Sequence, residues 1–230
     1  MVPAYKWEII KKGRERPLKE TEIDTLRYSS GWRDVSPHYA REVYCQYISW
    51  CILDEELICG LRLFMARNKI KRVIEPFAGR GFLRKFTMNP SITSWHAYDR
   101  SPPKDSDVIR VNVQRVLKSI LPGEMDAIVV SWVPYNGKED LALLRASKKH
   151  QLPILWIGES WGGCTGSERF WDALDKQGFD IDYHSHGVDV QRWYGINDQF
   201  MVIRPPPPRA PHREHKVYNL RPRRAKVQRA

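Results

Sequence analysis

The chain predicts an α/β fold: a Rossmann-like, mostly parallel sheet that finishes on an antiparallel strand and is preceded by a helical extension. Three observations carry this expectation. Short apolar runs alternate with helix-period segments between residues 73 and 203. The run Val73-Ile74-Glu75-Pro76-Phe77-Ala78-Gly79-Arg80-Gly81-Phe82 reads as a strand, a Gly-x-Gly turn and a helix start. A second strand then ends on Asp99, and an acid in that place can hold ribose hydroxyls.

Taken in order, residues 1–35 form a polar extension of mixed charge, with Trp7, Tyr28 and Trp32 scattered through it. It is either loosely ordered or wrapped on the core. Ser36-Pro37 reads as an N-cap followed by a first-turn proline, opening a helical segment over 36–70. Val43, Tyr47, Trp50, Leu53, Leu57, Leu61 and Phe64 recur at helical spacing, which predicts one long or two short helices with these residues in the core. The sheet domain covers 71–204. Strands are expected at 73–75, 95–98, 108–111, 126–131 and 154–158, and helices at 82–87, 138–149 and 167–177, the last ending at Gly178. Right-handed crossovers follow from the alternation. Residues 179–184 and 199–203 read as a closing antiparallel pair. Four prolines at 205–208 cannot continue a ladder and begin a basic tail over 205–230, expected to be disordered alone.

Composition narrows the class. No run of about 18 apolar residues exists, so no membrane-spanning helix is expected. The first 12 residues lack the apolar core of a signal peptide. Cys45, Cys51, Cys59 and Cys164 show no CxxC spacing and read as buried free thiols of an intracellular, reducing compartment. His184 and His186 alternate along an expected strand, but no further metal ligands accompany them. The net charge is +11; residues 204–230 hold nine Lys/Arg against one acid, so the other 203 residues carry only +3. The tail, not the folded part, is the basic element. It reads as a hold on nucleic-acid phosphates, as a nuclear address centred on Arg221-Pro222-Arg223-Arg224-Ala225-Lys226, or as a solvated end.

The turn excludes two nucleotide classes. Arg84 stands where a dinucleotide fingerprint needs its third glycine, and no Gly-Lys-Ser/Thr is present. The stretch resembles motif I of the class I S-adenosylmethionine-dependent methyltransferases, an acid followed by a Gly-x-Gly turn. The resemblance covers roughly residues 72–204 and implies S-adenosylmethionine as cofactor. It implies that Gly79 and Gly81 pass the methionine part, that Asp99 binds the ribose and that Asn112 meets adenine. Glu75, Phe77, Ala78 and Ser131 complete the implied cofactor contacts.

After the fourth strand, Trp132-Val133-Pro134-Tyr135 resembles the Asp/Asn-Pro-Pro-Tyr segment of amino-methylating enzymes. Here Trp132 replaces the hydrogen-bond acceptor and Val133 the first proline, which speaks against adenine or cytosine amino methylation. Tyr135 can still stack on a planar substrate. After the fifth strand, Gly158-Glu159-Ser160-Trp161-Gly162-Gly163-Cys164-Thr165-Gly166 is a glycine-rich loop. With the preceding segment it looks like a methyltransferase-like subgroup that brings no substrate with it. Glu159 stands at the strand end as a general base or a capping acid. Trp161 can wall a pocket. Cys164 reads as a small filler or a nucleophile without an assigned base. Between the last strands, Arg192 and Trp193 either hold a planar or anionic substrate or form a turn with one packed indole.

These readings lead to a methyltransferase acting on nucleic acid, with Glu159 and Tyr135 as catalytic candidates and Trp132, Pro134, Tyr135, Trp161, Arg192 and Trp193 facing the substrate. Two alternatives stay open. One is an inactive protein of the same fold that binds nucleic acid or chromatin through its tail. The other is a protein or small-molecule methyltransferase with a localising tail.

Overall fold

The computed structural model of the protein describes residues 4–28, 37–135, 137–184 and 186–208. The expected cap at Ser36 and the basic run 209–230 lie outside the described residues. The elements are α1 (Ala4–Glu15), α2 (Glu20–Tyr28), α3 (Pro37–Tyr47), α4 (Glu55–Arg67), β1 (Arg72–Glu75), α5 (Phe82–Thr87), β2 (Ser94–Asp99) and β3 (Ile109–Arg110). They continue with α6 (Val113–Ser119), β4 (Ala127–Ser131), α7 (Asp140–His150), β5 (Ile154–Gly158), α8 (Glu168–Lys176), β6 (Asp180–Asp182) and β7 (Gln199–Arg204).

One seven-stranded sheet runs in the order β3-β2-β1-β4-β5-β7-β6. The first five are parallel neighbours, and β7 is antiparallel to both β5 and β6. Period-2 alternation sorts the strand residues between two apolar layers. Val73, Val129, Leu155, Ile157 and Val202 face the layer built from α1 to α5. Ile74, Ile128, Val130, Trp156 and Ile203 face the layer of α6, α7 and α8. β4 and β5 are buried along their whole length, so both their faces must be apolar, as the β-branched run of β4 requires.

The polar extension wraps the core. Among its described apolar residues Ile9, Ile10, Leu18, Ile23 and Leu26 are buried, Trp7 is partly buried and Tyr5 is exposed. Backbone pairing pins it: the Leu18 N–H donates to the Leu53 carbonyl (3.1 Å), and the Glu55 N–H donates to the Leu18 carbonyl (3.1 Å).

The apolar stripe over 39–67 forms two short helices, α3 and α4, one of the two expected arrangements, and the Asp54 carboxylate caps α4 by accepting from the Leu57 N–H at 2.8 Å. Other expectations are corrected. Trp50 falls in the break and is 53% exposed rather than core. β3 is only two residues long, and α6, which no strong period announced, follows it. β6 ends at Asp182, so His184 lies beyond the strand; both His184 and His186 approach that carboxylate at 2.9 Å. Only Cys51 of the four thiols is buried; Cys59 and Cys164 are exposed and Cys45 is intermediate. No helix among the described residues is long and apolar enough to cross a membrane.

Gly60 in α4 is required by a close approach. A Cβ there would lie 2.4 Å from the Gly187 carbonyl oxygen and 2.8 Å from Val188 Cα, both backbone atoms. In an open helix, alanine would gain about 1 kcal/mol over glycine. Here overpacking costs about 1–3 kcal/mol, so Gly60→Ala is expected to lower the urea midpoint. A raised midpoint would show that the 187–188 backbone yields.

Candidate functional site

In open α/β sheets the crevice outside the carboxyl ends of the strands opens where strand order reverses, here between β1 and β4. A cleft of ≈ 260 Å³ lies there, lined by Glu75, Phe77, Ala78, Gly79, Asp99 and Ser131, with Trp50 over it from the α3–α4 break. A second opening of ≈ 420 Å³ shares Trp50, Phe77, Gly79, Asp99 and Ser131 and continues to Trp132 and Pro134. Together they form one trough around the Trp50 indole, in the size range of small-ligand sites.

The Gly-x-Gly turn closes the trough at β1. Gly79 and Gly81 have φ of +55° and +78°, a left-handed conformation that favours glycine. Nothing lies within 4 Å of a Cβ added at Gly79, so that position faces open space. Asp99 organises the turn: its Oδ2 accepts from the Gly79 N–H (3.0 Å) and its Oδ1 from the Ser101 N–H (2.8 Å). A carboxylate has about four acceptor sites, so capacity for a ligand remains. Glu75 lies on the floor, buried, and accepts from the Trp95 indole N–H at 2.8 Å. Burial pushes its carboxyl up to about 8, with the Trp95 bond and then Arg84 pulling against that rise.

A group that the sequence reading missed holds the β4 end of the trough. Trp132 has φ of +55°, rare for a bulky residue and common where a site imposes the backbone. Its indole N–H donates to Asp198 Oδ2 at 3.0 Å, and its ring stacks on Trp50 at 5.6 Å and 21°. The Arg41 guanidinium lies 4.7 Å from the Trp132 ring and 5.4 Å from the Trp50 ring. Asp198 is fully buried, and its Oδ1 has no partner among the described residues. Burial pushes its carboxyl up to about 7, opposed by the Trp132 bond. Beneath them the Ser131 hydroxyl donates to Cys51 Sγ at 3.0 Å, and burial pushes the Cys51 thiol up to about 12, which keeps it protonated. Asp198 has one sequence signal, its place between the last two strands near Arg192 and Trp193; Arg41 has none.

The other candidates lie outside the trough. Gly81 turns into α5; a Cβ there would sit 2.7 Å from Val108 Cγ2. Asn112 caps α6, its side-chain oxygen accepting from the Arg115 N–H at 3.2 Å, and lines neither opening. Tyr135 is exposed and lines a separate groove between the starts of α7 and α8. Glu159 is buried as a brace: Oε2 accepts from the Cys164 N–H (2.6 Å) and Oε1 from the Asn197 N–H (2.9 Å). Both carboxylate oxygens therefore join loops, which fits a positioning residue better than a general base. Cys164 is exposed, but burial and then Glu159 raise its thiol, so a thiolate nucleophile is disfavoured. Trp161 stands 56% exposed on the loop after β5. Trp193 is buried edge-on against Tyr44 (5.4 Å), a packing role, and the Arg192 Nε–H donates to the Asp198 carbonyl at 2.9 Å.

No protein-family model matches this chain, and no curated protein sequence does either. The site therefore stands on its geometry. Six residues expected at a cofactor, drawn from three strand ends, converge on one cleft, and the substrate-side residues are divided between that trough, a second groove, the core and an exposed loop.

Proposed function

We propose that the protein is an S-adenosylmethionine-dependent methyltransferase. The observation that carries this reading is the convergence of Glu75, Phe77, Ala78, Gly79, Asp99 and Ser131 on the cleft at the strand-order reversal. The antiparallel last strand, a feature of the class I sheet, supports it.

The residues fit such a cofactor. Gly79 leaves open space for its methionine part, Asp99 keeps acceptor sites for ribose hydroxyls, and Phe77 offers an apolar wall. Asn112 is engaged as a helix cap, so it leaves adenine to the backbone and to apolar contact. Bound there, S-adenosylmethionine supplies an electrophilic methyl group on a sulfonium. The protein's own share is positioning and exclusion of water, with Trp50 and Trp132 as aromatic walls between the turn and the acceptor end. Asp198 orients the Trp132 indole, and Arg41 lies against both rings. Two aromatic walls and the basic tail favour nucleic acid as acceptor, and the tail favours a nuclear location.

One observation favours a second reading, a non-catalytic binding protein: Trp132 is locked by Asp198 and Trp50 where an amine acceptor would be expected. Calorimetry with S-adenosylmethionine and S-adenosylhomocysteine tests both. Micromolar binding, about −8 kcal/mol, is expected. No binding to a folded, monodisperse sample would sink the enzyme reading. Binding without transfer to DNA, RNA or histone acceptors would select the second.

A further inference from the structure

Exposed aromatic rings gather at the carboxyl end of the sheet. Trp50 in the α3–α4 break, Tyr135 after β4, Trp161 after β5 and Tyr194 before β7 are each about half exposed or more. Among the described residues the other exposed aromatics are Tyr5 on α1 and Tyr183 just past the edge strand β6. The large aliphatic side chains that are exposed, Leu63, Met88, Ile109 and Leu121, lie on none of these four segments.

Contacts tie the four segments into one rim. The Trp50 ring stacks on Trp132, just after β4. The Gly166 N–H donates to the Val133 carbonyl (3.0 Å), joining the loops after β5 and β4. Glu159 Oε1 accepts from the Asn197 N–H (2.9 Å), joining the loop after β5 to the β6–β7 connection. β4, β5 and β7 are neighbours, so their ends span about 10 Å, the rise of about three stacked nucleotides. A patch that binds another protein is contiguous and apolar. Rings without exposed aliphatic neighbours, each on its own loop, instead suit separate planar groups, and successive bases of a strand are such groups. Charge adds little: Lys138 and Arg169 line the groove beside Tyr135, but Glu168 lines it too. The rings therefore decide the partner. In a duplex the bases already stack on one another, whereas a single strand offers their faces.

We propose that this rim is a stacking platform for single-stranded nucleic acid, whose flanking bases lie on Tyr135, Trp161 and Tyr194 while the target group enters the trough beside Trp50. The target's place in the trough rests on the methyltransferase reading proposed above; strand binding by the rings does not.

The test compares the full chain with its Tyr135→Ala/Trp161→Ala and Tyr135→Phe/Trp161→Phe variants. Fluorescence anisotropy follows labelled mixed-sequence DNA and RNA single strands of about 12 nucleotides, and the DNA duplex of the same sequence, at two salt concentrations. The alanine variant is expected to bind at least one kind of single strand at least about tenfold more weakly than wild type. The phenylalanine variant, which keeps both rings, should stay within about threefold, as should the duplex affinity of all three proteins. Phosphate binding by residues 209–230 would be common to the three and fade with salt, so the ratio of wild type to alanine variant is expected to hold at both concentrations. Equal single-strand affinity in wild type and alanine variant would overturn the proposal. So would an equal loss on the duplex, a phenylalanine variant as weak as the alanine one, or no binding of either single strand by wild type. S-adenosylmethionine calorimetry on the same samples keeps the two readings apart. No cofactor binding beside ring-dependent strand binding would sink the transfer reading and leave the platform standing; cofactor binding beside ring-independent strand binding would do the reverse.

Discussion

Replacing Asp99 with alanine is expected to weaken S-adenosylmethionine binding by more than about 100-fold. The carboxylate holds the turn through the Gly79 and Ser101 N–H groups and leaves acceptor sites toward the cleft. Two ribose hydroxyls on an ionised acceptor are worth about 1.5–3 kcal/mol each, so losing both costs on the order of 3 kcal/mol, roughly two decades in Kd. Asp99→Asn separates turn from ligand. Its amide oxygen can still accept a backbone N–H, so the turn is held in part and only the charge is lost; about a tenfold weakening is expected. Calorimetry beside a thermal melt decides the matter. If both variants keep wild-type affinity, Asp99 serves the turn alone and the ribose lies elsewhere. If Asp99→Ala loses affinity and melts far below Asp99→Asn, the loss belongs to the fold.

Asp99 was legible because its role follows from position. An acid closing the second strand of an alternating pattern must stand at the carboxyl end of the sheet, and Glu75, Gly79 and Ser131 share that logic. The strands were legible for the same reason: apolar runs bounded by turns, with β5 and α5 falling on their expected residues. Trp50 was not. Apolar period places it on the stripe with Leu53 and Leu57, whereas α3 ends at Tyr47 and the cap at Asp54 starts α4 afresh, leaving the indole in the break beside the cleft. The extension hid its helices because its charged composition masks five apolar residues that are nonetheless buried. Asp198 and Trp132 meet across 66 positions, and no local pattern encodes such a pair. For Glu159 the position was right; its use was decided by the N–H groups of Cys164 and Asn197, which loop geometry alone supplies.

The same buried carboxyls set an unusual pH dependence. Burial raises Glu75 to about 8, Asp198 to about 7 and Asp54 to about 6, all above the ordinary carboxylate range. Between that range and the raised values, the folded chain keeps protons that the unfolded chain has released. Stability must then fall with rising pH. The contribution of these groups is complete below a pH of about 4 and is lost by about 8. Glu22, lowered to about 2 chiefly by its Arg16 bond, works in the other direction, and its contribution is lost as pH falls below the ordinary range. The stability maximum is therefore expected near pH 5, at the acid edge of the common window. Glu75→Gln keeps an acceptor for the Trp95 indole without a charge to bury. It is expected to be more stable than wild type at a pH of about 8.5, by on the order of 3 kcal/mol, and no more stable at about 4. Urea melts of both proteins across this range measure it. A wild-type curve that rises between pH 5 and 8, or an advantage of the variant that is independent of pH, would show that Glu75 is already ionised in the fold. The predicted curve would instead mark a carboxyl kept at the cleft floor against the interest of stability, which is where functional sites are found.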